Sequence, residues 1–488
     1  MNFGRNTLIL TISKIASLIM SIAITVILSR YRTLGEYGTY AQLILIVNLS
    51  VSILSFGISN SINYFLGKYD CKEERDNFVI GYFILNTLFG IITGILLGLY
   101  SEKLGVYFNN TNIPSYRLVL LILPWSILTN SSMSFFLIFS NRSKFVLIIE
   151  TTYNFVIFIT ALISSLLGID FKSYLYFFTI VNATQSIFVY IIVHRIYKLK
   201  NKFVNFRIIK EILIFSIPLG LSTLIGTLNL QVDQIMVSSL YKLDEYAVYA
   251  NAARELPIAV LSSSIVLVVF PTISKLLNKK RIKEAMDVWR YSIDLSSIIM
   301  FFLISVLIVF ASEIITILYS EKFLMGVSVF RIYSLVLVFR ITYFGMVLNS
   351  LNKTKYILMT SIFALISNVI LNFIFHKMFG FIGPAVATLC VTSFVALLQL
   401  KSTARMIDFK FIQIFPWVSL LKIGILNLLL SIVFYYIKVF FMEIFPNLTL
   451  FTSVIIGLAW FIVYFLIVCK NARKKWDVLN SSTHYDII

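Results

Sequence analysis

Arg340 constrains the chemistry of this chain most. It falls near the middle of an apolar run, 326–350, too deep to reach an interface easily. A charge at the centre of a membrane costs about 2.5–3.5 kcal/mol on insertion scales, so such residues turn toward protein or a water-filled cavity. Arginine also offers a planar fork of donors that matches phosphate. The chemistry this allows is holding an anion at membrane depth. Two further cations share the property. Lys14 lies seven residues into the first apolar run, and Lys14, Ser17, Ser21 and Thr25 follow the 3-4-4 spacing of one polar stripe on a helix. Arg254 lies about 12 Å along its run from the outer end, at ~1.5 Å per residue.

Acids are scarcer. Asp233 shares a helical face with Asn229, Gly226 and Ser222. Glu255 follows Arg254, but successive residues on a helix point about 100° apart and need not pair. Asp233 and Glu255 are the candidate ion-coupling residues, and an ion pair of Asp233 with Arg254 across a hairpin is the competing role. Glu150 is shallower and expected at the interface. Arg331 and Lys422 sit near helix ends, where long basic side chains snorkel. Only Asp233, Glu255 and Glu150 are expected to oppose the embedded cations, and an excess of cations suits an anionic ligand. His194, His376 and His484 sit in separate segments and form neither metal-ligand spacing nor a nucleophile–base pair. No metal, cofactor or catalytic set is expected. The chain is expected to move its ligand rather than transform it, so it is not read as an enzyme.

The elements that must position these residues are membrane helices. Hydrophobic residues make up 59% of the 488 and charged residues 13%, against about 25% charged in soluble domains. Runs of about 20 apolar residues span a bilayer. Fourteen occur, near 7–29, 39–66, 78–100, 116–140, 145–167, 173–195, 212–240, 246–271, 292–318, 326–350, 356–378, 381–400, 414–440 and 447–469. The first is too long for a signal-peptide core and lacks a small-residue cleavage site, so it reads as a retained helix. With a cytoplasmic N-terminus, 27 of the 41 Lys and Arg fall in cytoplasmic segments, nine in external ones and five inside helices. That bias follows the positive-inside rule. The net charge of +19 is then mostly a topology signal rather than a nucleic-acid footprint. Cys71 and Cys469 fall on the cytoplasmic side and Cys390 within a helix, leaving no external pair for a disulfide.

The chain also repeats itself. Leu34-Gly35-Glu36-Tyr37-Gly38-Thr39-Tyr40-Ala41 returns as Leu243-Asp244-Glu245-Tyr246-Ala247-Val248-Tyr249-Ala250. Asn141-Arg142-Ser143-Lys144 returns as Asn352-Lys353-Thr354-Lys355, and Gly168 returns as Gly380. The three offsets lie close to 210 residues. The expected organisation is two parallel six-helix repeats forming two lobes, 1–196 and 208–404. A basic cytoplasmic linker, 197–207, joins them, and 405–488 adds two helices and a cytoplasmic tail. An even number of helices per repeat keeps both halves in one orientation. Residues 272–291 are expected to form a helix along the inner leaflet or a solvated connector. Pro124, Pro218, Pro257, Pro271 and Pro384 are candidate kinks, since proline removes a helix hydrogen bond.

Arg30-Tyr31-Arg32-Thr33-Leu34-Gly35-Glu36-Tyr37-Gly38, Phe215-Ser216-Ile217-Pro218-Leu219, Asp233-Gln234-Ile235-Met236-Val237 and Gly380-Phe381-Ile382-Gly383-Pro384-Ala385 carry a resemblance. With twelve helices in two halves plus two more, the chain resembles the multidrug/oligosaccharidyl-lipid/polysaccharide exporter superfamily, and within it the bacterial polysaccharide-unit (O-antigen) flippases. The resemblance implies an all-α polytopic membrane protein with a central cavity between lobes, in a bacterial cytoplasmic membrane with both termini cytoplasmic. It implies a substrate of oligosaccharide linked through pyrophosphate to undecaprenol, moved by alternating access during O-antigen and lipopolysaccharide synthesis. Membrane lipids, a polysaccharide polymerase and a chain-length regulator are the partners it suggests. It supplies no fixed site, so Lys14, Arg254 and Arg340 stand as substrate-binding candidates on membrane depth alone. Two rivals remain: a cation-coupled multidrug antiporter, which favours acids in its cavity, and a membrane polymerase or glycosyltransferase, which needs a larger external loop.

Overall fold

The structure is a computed structural model that describes residues 3–69, 71–140, 142–199, 206–254, 256 and 258–484. Glu255, Pro257, Asn141 and linker residues 200–205 lie outside the described residues. Those described form two compact units, 1–250 and 251–488.

The first unit contains α1 (Phe3–Tyr31), α2 (Leu34–Leu54), α3 (Ser61–Lys68), α4 (Lys72–Leu99), α5 (Ser101–Tyr107), α6 (Arg117–Phe139), α7 (Ser143–Leu166), α8 (Phe171–Tyr197) and α9 (Phe206–Leu240), and α10 (Leu243–Ala252) ends it. The second contains α11 (Ala259–Asn278), α12 (Ile282–Val309), α13 (Ala311–Leu318), α14 (Val327–Val336), α15 (Met346–Ser350), α16 (Thr354–Phe379), α17 (Gly383–Ile407), α18 (Phe411–Ile414), α19 (Trp417–Ile444) and α20 (Thr449–His484). Thirteen spans are long and apolar enough to cross a membrane among the described residues. One of them, Thr354–Ile407, is the two helices α16 and α17 joined by a 3₁₀ turn, so fourteen passes result.

Two expectations about the connections change. Residues 272–291 form no separate interfacial helix: α11 runs on to Asn278 and α12 starts at Ile282, joined by a turn in which Lys280 has φ +60°. Pro384 kinks nothing, because it occupies the first turn of α17, where a proline N–H would have no helical acceptor anyway.

The repeated landmarks fold alike. The backbone N–H of Thr33 donates to Glu36 Oε2 at 3.0 Å, and that of Lys242 to Glu245 Oε2 at 3.0 Å. Both glutamates thereby close the first turn of a helix. The Arg142 N–H reaches the Leu137 carbonyl at 2.8 Å, as the Lys353 N–H reaches that of Leu348. Gly168 and Gly380 have φ of +63° and +59°. The first two copies also touch: a Cβ on Gly38 would lie 2.6 Å from the Leu243 carbonyl oxygen, and one on Gly35 3.4 Å from Asp244 Oδ1. Glycine at 38 is what lets α2 meet the start of α10.

Aromatic stacking fills each interior. Phe65, Phe78, Tyr82, Phe83 and Phe136 form the centre of the first core. Trp460, Phe434, Phe302 and Tyr464 form that of a second, which binds α19 and α20 to α12. At one end of the first unit, buried Arg32 donates to the Ile169 carbonyl at 2.7 Å and to Ser164 Oγ at 3.2 Å, holding the turn before α8. Asp170 caps α8 by accepting from the Ser173 N–H at 3.0 Å. Hydrogen bonds from Ser173, helped by the Arg32 charge, keep its carboxyl below the usual range.

Candidate interrupted-helix site

Several of the apolar runs are not continuous helices, among them three that matter here. The run 39–66 breaks after α2, at Phe56 (φ +48°) and Gly57 (φ +64°). The break accommodates α9, where a Cβ on Gly220 would meet the Phe56 carbonyl at 2.3 Å. The run 246–271 is also divided: α10 ends at Ala252 and α11 begins at Ala259. The sequence gives a reason: Leu256 precedes Pro257, and the residue before proline is disfavoured in helix. The run 326–350 passes from α14 into a 3₁₀ turn, Leu337–Arg340, then irregular backbone until α15.

The breaks matter because two of the three candidate cations sit in them. Arg254 was expected inside a continuous helix. Instead it lies in the bend after α10, exposed, with its N–H 3.3 Å from the Asn251 carbonyl. Arg340 ends the 3₁₀ turn and is half-buried. Its carbonyl accepts the Ser262 hydroxyl at 2.6 Å, from the first turn of α11, the helix that follows the Arg254 bend. Two residues on, Thr342 Oγ1 accepts from buried Trp289 Nε1 at 2.9 Å. The irregular stretch is therefore fixed from two neighbouring helices. Backbone that leaves the helix exposes N–H and C=O groups, which transporters use at their binding sites.

The third cation belongs to the first unit. Lys14 is exposed on α1. From its stripe Ser17 accepts from Asn154 Nδ2 at 3.1 Å, and Ser13, the residue before Lys14, donates to Glu150 Oε2 at 2.7 Å, both toward α7. Glu150 is thus a hydrogen-bond partner of α1. Glu150, Asn154, Ile157, Ala161 and Ser164 recur at 4-3-4-3 spacing, the stripe that packs on α1.

Asp233 is buried in α9, and its Oδ2 accepts the Tyr249 hydroxyl at 3.0 Å. Tyr249 lies on α10, in the second copy of the repeated motif, and Tyr246 beside it is also fully buried. A turn along α9, Ser238 Oγ accepts from Gln42 Nε2 at 2.9 Å, and Gln42 Oε1 accepts from Asn110 Nδ2 at 2.7 Å. This network ties α2, α9 and the segment after α5 together. Within the second unit, Asn372 Nδ2 donates to Asn368 Oδ1 at 2.8 Å inside α16.

Sequence reasoning missed two ion pairs, one buried and one part-buried. Lys438 Nζ meets Glu313 Oε1 at 2.6 Å, and Lys475 Nζ meets Asp294 Oδ2 at 2.6 Å. Glu313 and Asp294 thus join Asp233 as buried acids of the latter part of the chain. The available signal was matched depth. Glu313 and Lys438 lie near the same end of their two passes, and Asp294 and Lys475 near the other, so each pair of opposite charges could have been expected to meet. Arg331 does not simply reach for water either: its Nε donates to the Ile308 carbonyl in the last turn of α12 at 3.2 Å.

Fold and site together define an all-α, multi-pass membrane protein with spanning segments interrupted at charged residues. The chain belongs to the family described as polysaccharide biosynthesis protein, whose model matches residues 3–277. Its fold is shared with solved transporters of the MOP superfamily and with a solved flippase. The lipid II flippase MurJ in an inward closed conformation superposes with a TM-score of 0.72 at 18% identity, covering 94% of this chain and 98% of that one. An inward-facing multidrug resistance MATE transporter of the MOP superfamily gives 0.62 at 17% identity, covering 80% and 94%. A MOP superfamily transporter from Pyrococcus furiosus gives 0.56 at 16%, covering 83% and 95%. No curated protein matches the sequence.

Proposed function

We propose that the protein is a flippase for undecaprenyl-pyrophosphate-linked oligosaccharide repeat units of the O-antigen type, working by alternating access. The observation that carries the reading is the pair of arginines on interrupted backbone, Arg254 and Arg340. An arginine at a helix break offers an anion both its guanidinium and neighbouring backbone groups. Lys14, Arg254 and Arg340 are the cations that receive the pyrophosphate and any acidic sugars, while the polyprenyl tail stays in lipid. The family, and the likeness to a flippase of a lipid-linked precursor, support the same reading. The protein acts as a carrier rather than a catalyst. Its two duplicated halves are 1–196 and 208–404. It resides in a bacterial cytoplasmic membrane with both termini inside and serves a polysaccharide polymerase and a chain-length regulator.

The test is translocation of the lipid-linked unit in proteoliposomes at matched protein levels. Arg340→Ala should abolish it, and Arg340→Lys should restore it partly at most, because the bidentate fork is lost. Wild-type rates in both Arg340→Ala and Lys14→Ala would overturn the mechanism.

A second reading, a cation-coupled multidrug antiporter, draws on buried Asp233 and the likeness to MATE transporters. Drug efflux driven by a proton or sodium gradient, with no flipping of the lipid-linked unit, would establish it instead.

A further inference from the structure

A groove runs between α4 and α8 in the first unit, away from the residues discussed above. We infer that it binds an anionic glycerophospholipid, phosphate at the Arg195 end and one acyl chain along the furrow.

The groove has a volume of about 730 Å³. One wall is α4, with Ile80, Ile84, Leu88 and Phe83, Thr87, Ile91 in two rows of four-residue spacing. Such rows run nearly parallel to a helix axis. Residues four apart on α8, Tyr190 with His194 and Ile191 with Arg195, form the other wall. Helices α4 and α8 both pack on α6, which lies behind the gap. Beyond Tyr190 a second hollow of about 540 Å³ continues it, sharing Thr87, Ile91 and Tyr190 and lined also by Trp125 on α6.

Length and charge identify the occupant. From residue 80 to residue 91 the apolar row is about 17 Å long at ~1.5 Å per residue. That is close to half of a ~30 Å hydrocarbon core, the depth of one leaflet. A single acyl chain matches it. Within that length the Thr87 and Tyr190 hydroxyls, 2.5 Å apart, bridge the two walls, with Trp125 Nε1 3.4 Å from Tyr190 Oη. The near end carries exposed His194 and Arg195, and the lining, among the described residues, holds no acid. Basic pockets between spanning helices are binding places for anionic lipid head groups. On the topology read from the charge bias this end is cytoplasmic, though the chemistry of the site is the same in either leaflet.

The experiment uses the full-length protein purified in detergent. Bound lipid is counted by native mass spectrometry, and the thermal midpoint is followed, on titration with phosphatidylglycerol and with phosphatidylcholine of the same chains. The wild type should retain phosphatidylglycerol in preference and gain more stability from it. The Arg195→Gln/His194→Gln variant, altered only at exposed side chains, should bind phosphatidylglycerol at least about fivefold more weakly, since a basic side chain near a lipid surface contributes about 1 kcal/mol. Ile84→Trp, filling the groove at an exposed position, should lower retention of both lipids. Equal binding of the two lipids by the wild type would overturn the inference. So would unchanged phosphatidylglycerol affinity in the charge variant, or undiminished retention in Ile84→Trp. None of these readouts depends on transport, so the inference and the flippase reading fail separately.

Discussion

Removing either member of the Glu313–Lys438 pair should cost far more than removing both. The two side chains are 7% and 6% exposed and their charged atoms are 2.6 Å apart. Lys438 Nζ also donates to the Val309 carbonyl at 3.0 Å and lies 5.4 Å from the Phe310 ring centroid. Glu313 has a second donor in Ser312, whose hydroxyl reaches Oε2 at 3.0 Å. At an effective dielectric of about 20 the gross attraction at this separation is on the order of 6 kcal/mol. Desolvation of two charges offsets most of it. Deleting one partner removes the attraction and leaves the other charge desolvated with a single neutral contact, at about 3–5 kcal/mol. Lys438→Met and Glu313→Leu should each lose about that much. Glu313→Leu/Lys438→Met should fall within about 1 kcal/mol of wild type or exceed it, because two apolar side chains there meet no unpaired charge. The assay is equilibrium unfolding of the four proteins in one detergent, analysed as a double-mutant cycle. A double variant as unstable as the sum of the singles would refute the reasoning, since the charges would then act independently. Singles that unfold at the wild-type midpoint would refute it too.

Gly38→Val should destabilise the protein by about 1–3 kcal/mol, the usual cost of overpacking, because a Cβ there lies 2.6 Å from the Leu243 carbonyl oxygen; a wild-type unfolding midpoint would show that α2 and α10 do not meet so closely. Asp233→Asn retains an acceptor for the Tyr249 hydroxyl, so it should fold normally and lose only the ion dependence of transport; unchanged ion dependence removes Asp233 from coupling. In a cysteine-free background, a cysteine at exposed Tyr107 should react with an impermeant reagent from outside, and one at Lys280 only after permeabilisation. Labelling of position 280 from outside would invert the topology.

The sequence by itself determined the membrane class, the number of passes and the repeated landmarks. Hydropathy needs only local composition, and each landmark is closed by bonds within five residues, such as Thr33 to Glu36 and Lys353 to Leu348. Backbone breaks were partly legible. Leu256-Pro257 signals one in the sequence, but Leu337–Phe344 is as apolar as a continuous helix apart from Arg340 and Thr342, so a hydropathy window cannot see its helix end. Ser262 and Trp289, separated from Arg340 and Thr342 by 78 and 53 positions, hold that stretch open. The tertiary structure alone decided that. It also decided which embedded charges are neutralised. Lys438 meets Glu313, 125 positions away in the chain, only because α19 packs on α12. The energy of a buried charge depends on what lies within a few ångströms, and neighbours that close come from helices the sequence places far apart.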